Sequence, residues 1–290
     1  MKRLPLDAVY FGNRTWRQRL REGLKRVRSN ASDAPFIDGN IAIIRQILMH
    51  TDTGLRMVIN IGADALLSFL TTGGYKNIYE EPVIGGKRHT PTPERVAVDT
   101  LLGLDGPQTY FGAVALGGTG VRFYGEYCMV IKPSRVDAAT SVFDRDSYDL
   151  LLPPLAGWSA SRTKKIVGAL SGKWSDDLAE MLIMKMLPRL PGAQHLITVG
   201  NVSALVMSDQ EFAEVHLAGK IRLADVEEVR QSPDEVAIES AILNRKRSRR
   251  SPTLVEIRWV EQRHRALAEL AKHSMRYRIV TLHGKGYQWT

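Results

Sequence analysis

The sequence predicts an α+β fold: a twisted, mainly antiparallel split sheet with flanking helices and basic helical ends. The first observation is a set of short segments rich in apolar and β-branched residues, such as residues 56–61 and 212–217, which is typical of strands. The second is a set of longer stretches in which apolar residues recur at helical spacing, such as residues 16–28. A chain of 290 residues has room for one large domain or two small ones.

The first 50 residues are interpreted as a basic helical segment. Four apolar residues at helical spacing, with arginines and lysines between them, predict an amphipathic helix: Trp16, Leu20, Leu24 and Val27. Residues 29–39 are small and polar, which predicts a loop, and residues 41–50 predict a short apolar helix or strand. Residues 51–231 are assigned to the α+β core, and residues 232–290 to a basic linker and a C-terminal helix.

The core opens with a strand, a short turn and a helix. Residues 56–61 predict the strand, and the helix that follows ends at Gly73 and Gly74, because glycine is favoured just after a helix C-terminus. Residues 81–95 contain three prolines and two glycines, which predicts an exposed loop of the kind that often covers a site.

A β-hairpin is the strongest local prediction in the middle of the chain. Residues 111–116 are apolar, residues 117–120 are a glycine-rich turn, and residues 121–131 are rich in aromatic and β-branched residues. In the second strand, alternation places Arg122 and Tyr124 on the same face.

The remaining segments of the chain are shorter or more polar. In order, the predictions are an extended segment at 140–149, helices at 161–171 and 175–186, a strand pair at 195–207, a strand at 212–217, a linker or basic patch at 232–251, a helix at 254–273 and a strand at 278–282. In the strand at 212–217, Glu214 and His216 share one face.

The positive charge is concentrated at the two ends. The whole chain carries +9, but residues 1–30 hold nine Lys/Arg against two acidic residues, and residues 241–290 hold twelve against three. Residues 31–240 are therefore net acidic. The densest basic run consists of Arg245, Lys246, Arg247, Arg249 and Arg250. Such ends suit nucleic acid or another anionic surface, and they suit solubilising arms equally well.

Several classes of protein and of site are not indicated by the sequence. The single cysteine, Cys128, excludes an internal disulfide, and no apolar run has the length of a membrane span. The N-terminus lacks the apolar region of a secretory signal, so we expect a cytoplasmic protein or one delivered into a target cell without a cleavable signal peptide. The histidines show no metal-ligand spacing, and no phosphate-binding loop or nucleophile elbow occurs, so no metal is expected.

Glu214 is the best candidate for chemistry. A strand glutamate can stabilise positive charge or hold a ribose hydroxyl, and cleavage of the N-glycosidic bond of NAD passes through an oxocarbenium-like transition state. An exposed strand glutamate without a catalytic role would give the same local pattern.

The order of these pieces resembles the ADP-ribosyltransferase toxin superfamily over about residues 55–230. The likeness consists of the strand–turn–helix–glycine unit with Tyr75-Lys76-Asn77 after it, the RFYGE sequence, Asp146-Ser147, and the late strand glutamate followed by a glycine and DVEEV. The chain is also similar to an uncharacterised bacterial family with an RFG-type hairpin. The resemblance implies a bacterial NAD-dependent mono-ADP-ribosyltransferase, a toxin or delivered effector, that uses NAD as substrate, modifies a protein or nucleic acid, and has a cognate inhibitor or partner protein.

The resemblance also implies roles for residues in this chain. Glu214 matches the catalytic glutamate of the late strand. On the early strand Arg56 or Asn60 would contact NAD, although neither lies in an RG or HxT pattern. In the middle position, Tyr124 competes with Thr140-Ser141. Further expected NAD contacts are Arg122 or Arg56 to a phosphate or ribose, and Tyr79 or Tyr124 stacked on nicotinamide.

Two other hypotheses remain open. In the first, the chain is a non-enzymatic nucleic-acid-binding protein that uses its basic ends. In the second, it is a subunit of a larger assembly, with its amphipathic ends packed against other chains.

Overall fold

The computed structural model describes residues 15–29, 34–50, 54–80, 83–84, 87–88, 90–147, 165, 168–190, 197–206, 212–248 and 251–280. Its α-helices are α1 (Trp16–Arg28), α2 (Ala34–Met49), α3 (Ala63–Thr72), α4 (Pro93–Leu102), α5 (Leu178–Met186), α6 (Val199–Val206), α7 (Pro233–Arg247) and α8 (Leu254–Lys272). Its strands are β1 (Arg56–Ile61), β2 (Val83–Ile84), β3 (Lys87–Arg88), β4 (Thr109–Ala115), β5 (Tyr127–Ile131), β6 (Ser141–Phe143), β7 (Ser171–Lys173), β8 (Glu214–Ala218), β9 (Val226–Gln231) and β10 (Tyr277–Ile279).

Eight of these strands form one open sheet in the order β10-β9-β5-β1-β4-β8-β6-β7, and β2 and β3 form a separate small hairpin. Neighbouring strands of the large sheet are antiparallel except β10, which runs parallel to β9. The predicted α+β class with a mainly antiparallel sheet is therefore confirmed. β1 and β4 occupy the centre of the sheet, and β10 and β7 are its outermost described strands.

The predicted β-hairpin in the middle of the chain is wrong. β4 and β5 are not neighbours, because β1 lies between them and pairs with both. Residues 116–126 form a connection, and Arg122–Tyr124 is a single 3-10 turn and not strand. The glycines explain the break: Gly120 has φ +69° and Gly125 has φ +156°, conformations that side chains rarely adopt and that interrupt a strand.

Four further predictions are corrected at the level of secondary structure. Within the strand pair predicted at 195–207, residues 199–206 are instead helix α6, whose buried Val202 and Val206 are four residues apart. The linker at 232–251 is helical from Pro233 to Arg247. There, proline and two acidic residues occupy the first turn, which is the usual composition of a helix start. The predicted loops at 29–39 and 81–95 end early, since α2 begins at Ala34 and α4 at Pro93.

Other elements agree with the sequence. β1 occupies residues 56–61 as predicted, and α3 ends at Gly73, which has φ +76° and no side chain to strain. The predicted helix at 254–273 is α8, and it begins with a capping box made by Thr253 and Glu256.

The sheet has an apolar face and a more polar face. Met57, Ile59 and Ile61 of β1 belong to the large core, to which α1, α2, α3, α5, α6 and α8 contribute buried residues. On the other side, Val58 pairs with Ala113, and Ala113 pairs with Glu214. Directly paired residues project from the same face, so Glu214 lies opposite the large core, beside a small cluster of seven buried residues that includes Val58 and Ala113.

The basic ends make ion pairs with the acidic body. From α1, Arg17 contacts Asp177 at 2.5 Å and Arg19 contacts Asp144. Near the other end, Arg276 and Arg278 both contact the buried carboxylate of Glu228, at 3.5 and 2.6 Å. Part of the uneven charge distribution of the sequence is thus a complementarity within the fold. In the ranges that the structure describes, no helix combines the length and apolarity needed to cross a membrane.

Candidate functional site

Glu214 is a buried carboxylate at the start of β8. Its residue surface is 4% exposed, and its strand neighbours across the sheet are Ala113 and Phe143. One oxygen, Oε2, accepts a hydrogen bond from the backbone N–H of Ser147 at 2.7 Å. The other, Oε1, lies 2.5 Å from Nε2 of His216. Both oxygens are therefore engaged by groups that can donate to a carboxylate.

The surroundings of Glu214 favour its ionised form. Burial alone would raise the pKa of this carboxyl. The contact with His216 lowers this pKa, and Arg95 and the Ser147 N–H lower it further. The net effect is a pKa below the ordinary value of 4.5. Glu214 is thus held as a carboxylate in an enclosed place, which is the form needed to stabilise a developing positive charge.

A chain of hydrogen bonds extends from Glu214 to α4. Ser147 Oγ accepts from Nη1 of Arg95 at 2.7 Å, and Nε of Arg95 donates to Asp99 Oδ2 at 2.9 Å. The hydroxyl of Tyr79 donates to the same oxygen of Asp99 at 2.5 Å. We call this set of six residues the Glu214 network: Tyr79, Arg95, Asp99, Ser147, Glu214 and His216.

Local sequence explains why α4 presents Arg95 and Asp99 together. Thr92 caps the helix by accepting from the Arg95 N–H, and Pro93 occupies the first helical position. Arg95 and Asp99 are four residues apart, so they project from the same side of the helix. Their side chains are only 4% and 3% exposed, which makes this pair part of the interior.

Aromatic rings enclose His216. The ring of Phe143 stacks on the imidazole with centroids 4.5 Å apart, and the ring of Phe111 meets it edge-on at 5.1 Å. Arg95 in turn lies over the face of Phe111, 4.0 Å from its centroid. The imidazole is therefore fixed by its two aromatic neighbours as well as by Glu214.

Two exposed aromatic residues lie close to the network. Phe123 and Tyr124 are 55% and 47% exposed and meet edge-on at 5.3 Å. Tyr124 also contacts the ring of Phe212, and its hydroxyl donates to Asp146 at 2.9 Å. Asp146 directly precedes Ser147, so this aromatic pair borders the segment that binds Glu214.

Asp144 holds that segment in place. Its buried carboxylate contacts Arg145 at 2.8 Å and Arg19 of α1, and its backbone carbonyl accepts from Lys185. Although burial would raise the pKa of Asp144, the charges of Arg145, Arg19 and Lys185 hold it below the ordinary value of 3.8.

Of the residues predicted from sequence, four lie at or beside the Glu214 network. Glu214 and Tyr79 are members of it, and Tyr124 is linked to it through Asp146. Ser141 is exposed on β6 and pairs with His216 across the strands.

The other three predicted NAD-contacting residues have structural partners elsewhere. Arg56 contacts Glu227 at 3.2 Å. Asn60 donates to the carbonyls of Thr119 and Gly125 and accepts from the Val121 N–H, so it supports the connection between β4 and β5.

Arg122, predicted to lie on a strand face beside Tyr124, instead pairs with two acidic residues in the first turn of α7. It contacts Asp234 at 2.9 Å and Glu235 at 2.7 Å.

Three of the five alternative nucleic-acid residues, Arg245, Lys246 and Arg247, lie at the end of α7. Arg245 forms an ion pair with Glu256, and Arg247 is exposed. Lys246 lies in the helix, but its side chain is outside the described part of the chain, as are Arg249 and Arg250.

Sequence reasoning missed Arg95 and Asp99 because the prolines and glycines before them indicated a loop. The signal that could have identified α4 is the Thr92-Pro93 start followed by an Arg and an Asp at helical spacing. Ser147 is part of the Asp146-Ser147 pair named in the resemblance. Its backbone contact with Glu214 joins residues 67 positions apart, so no local sequence pattern predicts it.

The network can supply an ionised carboxylate, a hydrogen-bonded imidazole and a nearby aromatic surface. Among the described residues, no group of three or more His, Cys, Asp or Glu side chains is placed to hold a metal ion.

No protein-family model, curated protein or solved structure matches the chain.

Proposed function

We propose that the chain is an NAD-dependent mono-ADP-ribosyltransferase-like enzyme, acting as a toxin or delivered effector, with Glu214 as its catalytic residue. One observation carries the proposal: a buried, ionised glutamate on a late strand is held by Ser147, and the neighbouring Asp146 is bound by Tyr124 of an exposed aromatic pair. Cleavage of the nicotinamide–ribose bond needs a fixed negative charge against the oxocarbenium ion and a surface for a planar ring.

In this reaction the bond between ribose C1′ and the nicotinamide nitrogen breaks, and its electron pair leaves with nicotinamide. The acceptor nucleophile then forms a bond to C1′ and loses its proton to solvent. Glu214 stabilises the positive charge on the ribose between these events and receives a ribose hydroxyl hydrogen bond. Because Ser147 N–H occupies Oε2 of Glu214, ribose binding requires this contact to be exchanged for one with the substrate.

The aromatic pair supplies the second part of the site. Tyr124 and Phe123 present exposed rings on which nicotinamide can stack. Arg56 and Arg122 are already paired with carboxylates, so a phosphate contact from either residue would have to replace an existing ion pair.

The test is NAD consumption by the purified protein, measured as nicotinamide release. We expect turnover by the wild type and a loss of about 100-fold or more in kcat for Glu214→Gln, the scale seen when one electrostatic contact to a transition state is removed. Glu269→Gln is the matched control, because it makes the same change on α8, where Glu269 pairs with Lys272 outside the Glu214 network. Equal rates for Glu214→Gln and the wild type would refute the assignment.

The nucleic-acid hypothesis receives less support from the fold. Arg17, Arg19, Arg276 and Arg278 of the basic ends contact acidic residues of the same chain, which reduces the charge available to phosphates. If nucleic acid is the partner, affinity should fall steeply with salt concentration, and an affinity insensitive to salt would exclude binding through phosphates.

A further inference from the structure

We infer that His216 is a positioning residue: it orients the carboxylate of Glu214 so that one oxygen faces the substrate. The inference rests on the proposed function, because it assigns a second residue to the same site. It also makes a statement about Glu214 that can be measured without turnover.

The hydrogen bond between the two side chains has one sensible direction. An ionised carboxylate only accepts hydrogen bonds, so the proton in the contact belongs to Nε2 of His216. The opposite ring nitrogen, Nδ1, is buried and has no hydrogen-bond partner among the described residues. The imidazole therefore directs its hydrogen bond at Glu214.

The setting of the ring agrees with a positioning role. His216 follows Glu214 by two residues on β8, so both side chains project from the same face of the strand. Phe143 and Phe111 restrict rotation of the imidazole. With His216 fixing Oε1 on one side, the Ser147 N–H contact to Oε2 can be exchanged for a ribose hydroxyl without rotation of the carboxylate.

Other charged groups near the pair come from α4 and from the chain segment before Ser147, which Arg19 of α1 and Lys185 of α5 contact. Arg95 and Asp99 of α4 reach Glu214 through Ser147, and Arg95 also favours the ionised carboxylate. On the chain segment before Ser147, Asp146 accepts from Tyr124, and Asp144 is neutralised by Arg145, Arg19 and Lys185. These groups remain unchanged in variants of His216, so a change in the titration of Glu214 would report on the imidazole.

Three substitutions separate orientation from packing. His216→Gln retains an N–H donor at about the reach of Nε2, His216→Asn carries the same amide one methylene shorter, and His216→Leu fills the aromatic slot without a donor. We expect kcat for NAD consumption to fall about tenfold or more in the Leu and Asn variants, with KM little changed, because a hydrogen bond to a charged group is lost. The Gln variant should recover most of the rate.

The acidic limb of the pH–rate profile provides a second readout. Activity requires ionised Glu214, and loss of the imidazole raises the pKa of this carboxyl. The limb should therefore move to higher pH in His216→Leu and less far in His216→Gln, which restores the hydrogen bond but not the electrostatic contribution of the imidazole. A role in packing alone would lower the amount of folded protein without moving this limb. The inference is overturned if all three variants have the same rates and the same pH–rate profiles as the wild type.

Carbon-13 NMR of the glutamate carboxyls distinguishes failure of this inference from failure of the proposed function. Glu214 is assigned by the signal missing in Glu214→Gln, and its titration midpoint is compared among wild type, His216→Leu and His216→Gln. If the wild type consumes no NAD, the proposed function fails, while a midpoint that rises in the Leu variant and rises less in the Gln variant still supports positioning by His216. A midpoint that is unchanged in both variants, or that rises equally in both, overturns it.

Discussion

Asn60 offers a direct test of whether β1 supplies a ligand contact or a structural support. Its side-chain nitrogen donates to the Thr119 carbonyl at 2.8 Å and the Gly125 carbonyl at 3.0 Å, and its oxygen accepts from the Val121 N–H at 2.8 Å. Asn60→Asp preserves the shape of the side chain but replaces the donor nitrogen by an acceptor oxygen. The substitution therefore removes two hydrogen bonds and places a carboxylate against two carbonyl groups.

The magnitude follows from these contacts. Two hydrogen bonds at about 1 kcal/mol each, together with the unfavourable approach of carboxylate and carbonyl oxygens in a half-buried place, predict a loss of about 2–3 kcal/mol in the free energy of unfolding. Urea denaturation followed by circular dichroism should show this as a midpoint lower by about 1 M, with little change in slope.

The control is Asn244→Asp, the same chemical change at an exposed position near the end of α7. It should cost no more than about 0.5 kcal/mol, from the added negative charge near a helix C-terminus. If Asn60→Asp unfolds at the same urea concentration as this control, the three hydrogen bonds do not support the connection, and Asn60 would again be a candidate for binding NAD.

Three further predictions concern Gly125, Asp144 and Cys128. A Cβ atom at Gly125 would lie 2.1 Å from the Ile61 carbonyl carbon, so Gly125→Ala should cost more than about 3 kcal/mol in urea unfolding. Asp144→Asn should cost about 3 kcal/mol at pH 7, and less at acid pH, because its lowered pKa gives stability that is present above pH 3.8 and lost as pH falls through the folded-state pKa. Burial raises the pKa of Cys128 to about 12, so an aromatic disulfide reagent should modify this thiol at pH 8 only after unfolding.

A control variant or a contradicting outcome tests each of these three predictions. Gly73→Ala also forces a side chain into a left-handed conformation, but no atom lies within 4 Å of the added Cβ, so it should cost only about 1 kcal/mol. Equal losses for Gly73→Ala and Gly125→Ala would contradict the close approach at Ile61. For Asp144, stability curves of variant and wild type that run parallel down to pH 2 would show that its charge does not contribute. Rapid modification of Cys128 in the native protein would mean that the thiol is accessible.

The parts of the fold that were predictable are those coded locally. β1 and α3 were recognised because an apolar strand, a short turn and a terminal glycine follow one another directly. The hairpin prediction failed because strand pairing is not local: residues 111–116 and 121–131 look like partners, yet β1, more than fifty residues earlier, lies between β4 and β5. Helix α7 was missed because it lacks a marked apolar side, and its basic end suggested a linker.

The candidate site shows the same division. Alternation within one strand was enough to place Glu214 and His216 on a common face. Arg95 and Ser147, which complete the surroundings of Glu214, come from a helix and a connection that sequence cannot bring together, since their contacts span 52 and 67 positions.

The two borders of the large sheet bear on aggregation. The outermost strands in the described part of the chain, β10 and β7, have only three residues each, and each carries a cation, Arg278 and Lys173. Short, charged border strands offer little unpaired backbone to another chain. β9 is longer and carries buried Val226 and Val229, and it would become a border if β10 detached. β10 pairs with β9 in parallel, and Arg276 and Arg278 bind Glu228 of β9. These contacts cover β9, the longer strand on this side of the sheet, and so protect it from pairing with a strand of another chain.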